Sequence, residues 1–149
     1  MPLAPLKKKN AIVEIISLLL IFLFVYAAAS KMLDYEKFRV QLGQSPMLTS
    51  FAGLVAWMVP SIEAIISVLL AIPGLRLTGL YASFSLMTMF TAYIIAITKF
   101  SEFVPCSCGG VLQSMSWNQH LFLNLIFVLL ALAGILLHST EQRNRVVVA

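Results

Sequence analysis

Four long apolar segments constrain the fold of this chain more than any other feature of its sequence. The first runs from Ala11 to Ala29 and is interrupted only by Glu14 and Ser17. A helix of about 20 apolar residues is long enough to cross a hydrocarbon core roughly 30 Å thick. Segments of similar character cover residues 51–72, 76–98 and 117–137. The sequence therefore predicts an all-α membrane protein in which four transmembrane helices form one bundle and one domain, residues 1–149.

The composition supports a membrane location. Of the 149 residues, 60% are hydrophobic and 11% are charged, whereas about 25% of the residues of a soluble domain are charged. The net charge of +4 does not indicate nucleic-acid binding, because the lysines at 7–9 and the arginines at 143 and 145 flank the hydrophobic part. Basic flanks of this kind are typical of transmembrane segments. We therefore expect membrane lipid as a partner and no nucleic acid.

The first apolar segment has a second interpretation, a signal peptide. Three lysines precede it, and Ala27, Ala28 and Ala29 at its end resemble a cleavage site. The segment is longer than the apolar region of most signal peptides, which has about 7–15 residues. This difference favours a retained helix, and both interpretations place the residues that follow on the outer side of the membrane.

A short amphipathic helix is predicted in the first outer loop, within residues 30–50. Its apolar side chains recur at spacings of three and four residues, at Met32, Tyr35, Phe38 and Leu42. This spacing is typical of a helix with one apolar face. Gly43 and the break at Ser45 and Pro46 predict its end. Two arrangements remain open: the helix lies in the membrane interface, or it docks on the bundle as an ordinary connection.

The distribution of basic residues predicts the orientation. Four spans place both termini on one side, and that side carries six Lys and Arg residues against four on the other. The six are Lys7, Lys8, Lys9, Arg76, Arg143 and Arg145, and the four are Lys31, Lys37, Arg39 and Lys99. Cytoplasmic loops carry the excess of Lys and Arg. We therefore predict a multi-pass protein of the bacterial inner membrane with both termini in the cytoplasm.

The loop between the third and fourth segments contains both cysteines of the chain, in the sequence Pro105-Cys106-Ser107-Cys108-Gly109-Gly110. With cytoplasmic termini, this loop faces the periplasm, where disulfides form and persist. Residues two apart fall within the Cα separation of about 4.4–6.8 Å that a disulfide requires. So small a ring is strained, and strained or exposed disulfides are the labile or catalytic ones. The motif thus predicts a redox pair formed by Cys106 and Cys108.

Other roles for the two cysteines stay open. Two thiolates bind soft metals such as Cu(I), although two ligands make an incomplete site. A static structural disulfide is a further alternative, but closing so short a loop would stabilise the fold only weakly. Two reduced thiols without a chemical role complete the alternatives.

Two further residues are candidates for chemistry. Glu63 lies within the second segment, where a carboxylate is costly and is by default a hypothesis of function. It either takes up protons or binds a quinone-like headgroup, or it only holds helices together, and Tyr81, Tyr93 and the hydroxyl groups of the third segment are its expected neighbours. His120 follows Cys108 in the sequence. It either assists a thiol or bonds to water or backbone.

The fourth segment carries a signal for the start of a helix. Ser116 is followed three residues later by Gln119, as in a capping box, and Trp117 suits the aromatic belt at a membrane interface. A helix is therefore predicted from Trp117 or His120 to about residue 137. His138, at the opposite end, has no evident partner in the sequence.

Several short motifs between residues 12 and 137 together resemble one known family. They are Ser30-Lys31 at the exit of the first segment, Asp34 and Phe38 in the following helix, Val59-Pro60-x-x-Glu63 in the second segment, and Pro105-Cys106-Ser107-Cys108-Gly109-Gly110 before the fourth. With these motifs the chain resembles the MauE-like branch of the DoxX-like small four-span membrane proteins, named for methylamine utilisation.

The resemblance implies a role in periplasmic thiol–disulfide chemistry. MauE proteins are associated with maturation of a disulfide-rich periplasmic dehydrogenase, beside a thioredoxin-like protein. The four-span architecture is also similar to that of vitamin K epoxide reductase and of disulfide-generating membrane enzymes, which pass electrons to quinone. This chain has neither a C-x-x-C motif nor a second cysteine pair. The resemblance therefore implies disulfide exchange with a partner rather than a complete relay to quinone.

Three functions are open at this point. The first is a membrane-embedded thiol–disulfide oxidoreductase in which Cys106 and Cys108 exchange electrons with a periplasmic thioredoxin-like partner or client. In this hypothesis Glu63 and His120 contact protons or a quinone cofactor. The second is a non-enzymatic accessory or anchoring subunit of a larger membrane complex. The third is a metal-handling or transport protein.

Overall fold

The computed structural model describes residues 4–100 and 116–148, and these residues form helices and turns without any strand. The helices are α1 (Ala4–Leu33), α2 (Tyr35–Gln44), α3 (Ala52–Ala71), α4 (Arg76–Lys99) and α5 (Trp117–Val148), with a 3₁₀ turn at Thr49–Phe51 before α3. Four stretches are long and apolar enough to cross a membrane: Ala11–Leu33, Thr49–Ala71, Arg76–Lys99 and Trp117–Asn144. The predicted all-α architecture with four membrane-spanning helices is confirmed.

Two of the helices continue beyond the predicted spans. The prediction ended the first span at residue 29, whereas α1 continues to Leu33, and it ended the fourth at residue 137, whereas α5 continues to Val148. Hydropathy marks only the apolar part of a helix, while the backbone hydrogen bonds continue into polar residues until a Gly, a Pro or a cap stops them. The differences at the ends of α3 and α4 are one residue each.

The four long helices form a ring in chain order. α1 packs against α3, α3 against α4, α4 against α5, and α5 closes the ring against α1. This is the up-down-up-down arrangement of four-helix bundles, in which each helix is antiparallel to the next. Consequently α1 and α4 end, and α5 begins, at the same end of the bundle.

The centre of the bundle is apolar. Leu20 of α1, Leu70 of α3 and Leu80 of α4 are completely buried there. The packed cluster extends through Phe24, and Ala131 of α5 completes it. The opposite faces of the helices expose many large apolar side chains, among them Phe22, Leu54, Met89 and Leu129. Apolar patches of this extent mark a surface that meets another apolar phase. The four helices therefore contact lipid.

Four buried hydroxyl groups are satisfied within their own helices. Each donates a hydrogen bond to the carbonyl oxygen one turn earlier: Ser17 to Val13, Ser67 to Glu63, Ser83 to Gly79 and Thr91 to Met87. This local back-bonding is how Ser and Thr settle inside a transmembrane helix. These hydroxyl groups are part of the packing.

The predicted amphipathic helix is α2, and it docks on α3. Leu42 is buried against Ala52 and Ala56 of α3, and Tyr35 and Phe38 pack around the same cluster. The charged side chains of α2 point away: Glu36, Lys37 and Arg39 are exposed. The helix passes Gly43, the predicted stop, and ends at Gln44, because the chain becomes extended at Ser45 (φ −78°, ψ 121°).

The predicted capping box at the start of α5 is also present. The backbone N–H of Ser116 donates to Oε1 of Gln119 at 2.9 Å, and the backbone N–H of Gln119 donates to Oγ of Ser116 at 3.3 Å. Two backbone donors that the helix itself cannot satisfy are thereby paired. The cap fixes where α5 begins, and hence the height of His120 in the bundle.

Gly79 allows α4 to approach α3 closely. A Cβ atom at this position would lie 2.9 Å from the backbone nitrogen of Leu70 and 3.1 Å from the carbonyl carbon of Leu69. Because backbone atoms cannot turn aside, we expect Gly79→Val to lower the free energy of unfolding by about 3 kcal/mol, the upper end of the usual cost of overpacking. Thermal unfolding of the purified protein in detergent, followed by circular dichroism, measures the loss.

Gly74→Val is the matched control. This glycine lies in the turn between α3 and α4, and a Cβ atom there would have no neighbour within 4 Å. Its expected cost is about 0.5 kcal/mol or less. Equal stability of the two variants would contradict the close packing of α3 on α4.

Candidate functional site

A buried ion pair joins α1 to α3. The Nζ atom of Lys31 lies 2.5 Å from Oε1 of Glu63, and the side chain of Glu63 is only 1% exposed. Lys31 belongs to the last turn of α1, whereas Glu63 lies in the middle of α3. A carboxylate at this depth is costly without a partner. The ammonium group of Lys31 is that partner.

The sequence of α3 forces the carboxylate inward. The buried positions of this helix recur every three to four residues: Ala52, Ala56, Pro60, Glu63, Ile66, Ser67 and Leu70. This period places them on one face of an α-helix. Glu63 is therefore on the stripe that faces the bundle, and it could reach lipid only if the whole helix rotated.

Aromatic rings from two further helices surround the ammonium group of Lys31. Its Nζ lies 5.8 Å from the ring centre of Phe38 in α2 and 5.6 Å from that of Phe90 in α4. A cation within about 6 Å of a ring is attracted by the negative face of the ring. Four helices thus meet at one charge. We call the group of Lys31, Glu63, Phe38 and Phe90 the Lys31 site.

The second carboxylate oxygen of Glu63 is not paired by Lys31. Its Oε2 atom is buried and has no hydrogen-bond partner among the described residues. Such an atom normally finds a partner, since leaving it unsatisfied costs about 1–3 kcal/mol or more. The Lys31 site can therefore accept a hydrogen bond or a proton at Oε2 without breaking the ion pair at Oε1.

His120 lies at the same end of the bundle, close to the start of α5. Its ring stacks on that of Trp117, with the ring centres 6.2 Å apart and the planes 15° apart. One turn further along α5, Nδ2 of the buried Asn124 has no hydrogen-bond partner among the described residues. Polar groups of α5 thus accompany those of α1 and α3 at this end.

Lys31, rather than one of the expected neighbours, is the hydrogen-bond donor to Glu63. Neither tyrosine nor any hydroxyl group of α4 supplies such a bond. Tyr81 is 54% exposed on the outside of the bundle, and the buried hydroxyl groups of Ser83 and Thr91 bond to their own helix.

Lys31 is the functional candidate that the sequence did not reveal. In the sequence it is a basic residue beside the first span and part of the Ser30-Lys31 motif, and neither feature indicates a contact with Glu63. The available signal was Glu63 itself, because a buried carboxylate requires a cation and Lys31 stands at the end of a neighbouring apolar segment. The two residues also belong to two of the short motifs on which the family resemblance rests.

The other two predicted site residues, Cys106 and Cys108, lie outside the described residues. The segment that contains them joins Lys99 at the end of α4 to Ser116 before α5. The ends of the two helices that it connects belong to the same end of the bundle as the Lys31 site. Their redox role stays a prediction.

The comparisons with known proteins give one match. A family model described as methylamine utilisation protein MauE matches residues 9–137. Lys31, Glu63, Cys106, Cys108 and His120 all fall within these bounds. No curated protein and no solved structure matches the chain. The resemblance predicted from the sequence motifs is thereby confirmed.

The ion pair makes a testable prediction. Lys31→Met removes the cation but leaves the carboxylate of Glu63 buried, so we expect it to destabilise the fold by about 3–5 kcal/mol. In the double variant Lys31→Met/Glu63→Gln no buried charge remains, and most of the lost stability is expected to return. Unfolding of each variant in mixed detergent and dodecyl sulfate gives the free energies for a double-mutant cycle.

Lys37→Met is the matched control for the loss of a lysine. Lys37 lies 3.6 Å from Asp34, and both side chains are largely exposed. Exposed pairs contribute about 0–1 kcal/mol. A double variant at 31 and 63 no more stable than Lys31→Met alone would show that the two charges are not coupled.

Proposed function

This chain belongs to the family of methylamine utilisation protein MauE, and on that basis we propose that it is a membrane accessory protein whose Cys106 and Cys108 exchange disulfides with a thioredoxin-like partner or client. The observation that carries the proposal is the place of the cysteines in the chain. The only two cysteines of the sequence occur in the segment between α4 and α5, and the helix ends that this segment connects lie at the end of the bundle that also carries Lys31, Glu63 and His120.

The proposed reaction conserves thiols and disulfides. One thiolate of the pair attacks a sulfur atom of the partner's disulfide and forms a mixed disulfide, while the partner's other sulfur leaves as a thiolate. The second cysteine then attacks the mixed disulfide, which closes the Cys106–Cys108 bond and releases the partner as a dithiol. Two electrons pass from this protein to the partner. The reverse reaction uses the same steps, and the difference in reduction potential sets the direction.

The charged groups at this end of the bundle suit that chemistry. Thiolates are the reactive form of cysteine, and neighbouring cations lower the cost of forming them. Lys31 is such a cation, and the ring of His120 and the unpartnered Oε2 of Glu63 are proton acceptors. In this proposal the three residues set the charge at the end of the bundle, and the two cysteines carry the electrons.

A quinone cofactor fits the same donors and acceptors. If a quinone bound here, Lys31 would donate to a quinone oxygen, and the unpartnered Oε2 of Glu63 would accept a hydrogen bond from a quinol hydroxyl. A bound quinone would supply an acceptor for two electrons. The residues of this chain contribute the binding groups and the proton acceptor.

The proposal includes an orientation. With both termini in the cytoplasm of a bacterial cell, the loop that contains the cysteines faces the periplasm, where disulfides persist and thioredoxin-like partners are found. The excess of Lys and Arg at the side of the termini supports this orientation.

Trapping of mixed disulfides tests the redox role. In Cys106→Ala and in Cys108→Ala the remaining cysteine cannot complete the second step, so the mixed disulfide is expected to accumulate in at least one of the two variants. Non-reducing gels of cells quenched with acid, followed by mass spectrometry of the bands that reducing agent removes, identify the partner.

The double variant Cys106→Ala/Cys108→Ala is the control and should trap nothing. Absence of a trapped protein from both single variants would contradict the redox role. If a stoichiometric membrane complex copurified equally with the native protein and the double variant, the accessory subunit would act as an anchor.

Thiol labelling tests the orientation separately. After mild reduction of spheroplasts, a membrane-impermeant maleimide is expected to label Cys106 and Cys108 of the native protein. In the double alanine background, Gln142→Cys places a thiol on an exposed residue of α5 at the other end of the bundle. It should be labelled only after the membrane is permeabilised, and the opposite pattern would overturn the predicted orientation.

A further inference from the structure

A second polar site lies at the other end of the bundle. There a cavity of about 340 Å³ is lined by Glu14 of α1, Arg76 at the start of α4, and His138, Glu141 and Gln142 of α5. Cavities that bind small ligands have volumes of about 300–1,000 Å³. We call it the Arg76 cavity, and the function proposed above does not use it.

The cavity is placed at a membrane boundary. Glu14 lies in the first turn of the span that begins at Ala11, and Arg76 is the first residue of its span. Exposed apolar side chains adjoin these residues in the sequence: Ile12 and Ile15 beside Glu14, and Leu75 beside Arg76. This arrangement suits a lipid, because its polar headgroup would fit the polar cavity and its acyl chains would lie along the adjoining apolar helix faces.

The cavity offers donors to an anion. The Nε of Arg76 donates to the carbonyl oxygen of Leu70 at 3.4 Å, which anchors the guanidinium group at the end of α3. No carboxylate among the described residues pairs with Arg76 within 4.0 Å, so its terminal nitrogen atoms retain donors. In addition, Nδ1 of His138 is buried and has no hydrogen-bond partner among the described residues. Arginine is well suited to phosphate, which it binds with two parallel hydrogen bonds.

The cavity also offers acceptors to a cation. Glu14 contributes a carboxylate, and Gln142 contributes an amide oxygen. Because Glu14 stands beside Arg76 in the lining, the cavity carries both signs of charge, which disfavours a ligand that is purely anionic. A metal ion is not indicated, because no group of three or more His, Cys, Asp or Glu residues suited to a metal occurs in the described part of the chain.

We propose that the Arg76 cavity binds the phosphoethanolamine headgroup of a membrane lipid, with the phosphate at Arg76 and His138 and the primary ammonium at Glu14. A primary ammonium donates hydrogen bonds to carboxylate and amide oxygens. A choline group cannot donate them and is recognised instead by aromatic rings, and none of the described residues that line this cavity is aromatic. The same chemistry would suit free phosphoethanolamine, but the apolar faces beside the cavity favour the lipid.

Native mass spectrometry with defined lipids tests the proposal. The full-length protein is delipidated in detergent and mixed with equal amounts of lipids that differ only in headgroup: phosphatidylethanolamine, phosphatidylcholine or phosphatidylglycerol, all with palmitoyl and oleoyl chains. We expect phosphatidylethanolamine to be retained about tenfold more than either of the others, since one charge-assisted hydrogen bond is equivalent to at least this factor. Equal retention of the three lipids would overturn the proposal.

Variants assign the two halves of the headgroup. Arg76→Gln is expected to reduce retention of phosphatidylethanolamine about tenfold. Glu14→Gln keeps an amide oxygen but removes the negative charge that attracts the ammonium, and it is expected to abolish the preference over phosphatidylglycerol. Arg39→Gln and Glu36→Gln are matched controls, because both residues are exposed on α2 at the other end of the bundle, and they should leave retention unchanged. Unchanged retention in Arg76→Gln and Glu14→Gln would contradict the site.

Two further measurements separate the alternatives. Circular dichroism checks that each variant is folded. Because Glu14 is exposed, its substitution by Gln does not disturb the core. Soluble phosphoethanolamine is added at the concentration of the lipid, and the shift in melting temperature is compared. A shift as large as that with the lipid would identify a free small molecule as the ligand and overturn the lipid assignment.

Discussion

The arrangement of this protein depends on the ion pair between Lys31 and Glu63. Apolar helices in lipid have little to fix how far one slides along another, because lipid chains are as apolar as leucine side chains. A buried carboxylate and its ammonium partner have no such freedom, since parting them leaves a charge unpaired. Glu63 is eleven residues from the start of α3 and Lys31 two from the end of α1. At 1.5 Å per residue, α3 must extend about 13 Å beyond α1, and α2 packs on that extension.

This offset explains how the other elements follow from one pair. Because α3 continues past α1, its buried positions Ala52 and Ala56 require a new neighbour, and α2 supplies it with Leu42 and Phe38. Phe38 then lies over the ammonium group, as Phe90 does from α4. Packing at the other end is set by close approach of backbones at Gly79. Charge and close packing together determine a register that hydropathy alone leaves open.

Local patterns in the sequence predicted the elements but not the contacts between them. Hydropathy located four spans, the spacing of Tyr35, Phe38 and Leu42 located α2, and Ser116 with Gln119 located the start of α5, because each signal arises within one or two turns of chain. The Lys31–Glu63 pair joins residues 32 apart in sequence, and no local pattern expresses that. Local patterns therefore present Lys31 as a flanking charge. They also predict tyrosine and hydroxyl neighbours for Glu63, and none of these donates a hydrogen bond to it.

The polar groups of the described residues are concentrated at the two ends of the bundle, and apolar residues lie between them. The Lys31 site and the Arg76 cavity occupy opposite ends, and the described residues between them are apolar at Leu20, Phe24, Leu70 and Leu80. The buried hydroxyl groups in this part donate to their own helices, so they do not extend either polar site toward the other. An ion or proton crossing such an interior would lose its hydration without gaining ligands. Within the described part of the chain, the Lys31 site and the Arg76 cavity are therefore two separate polar sites.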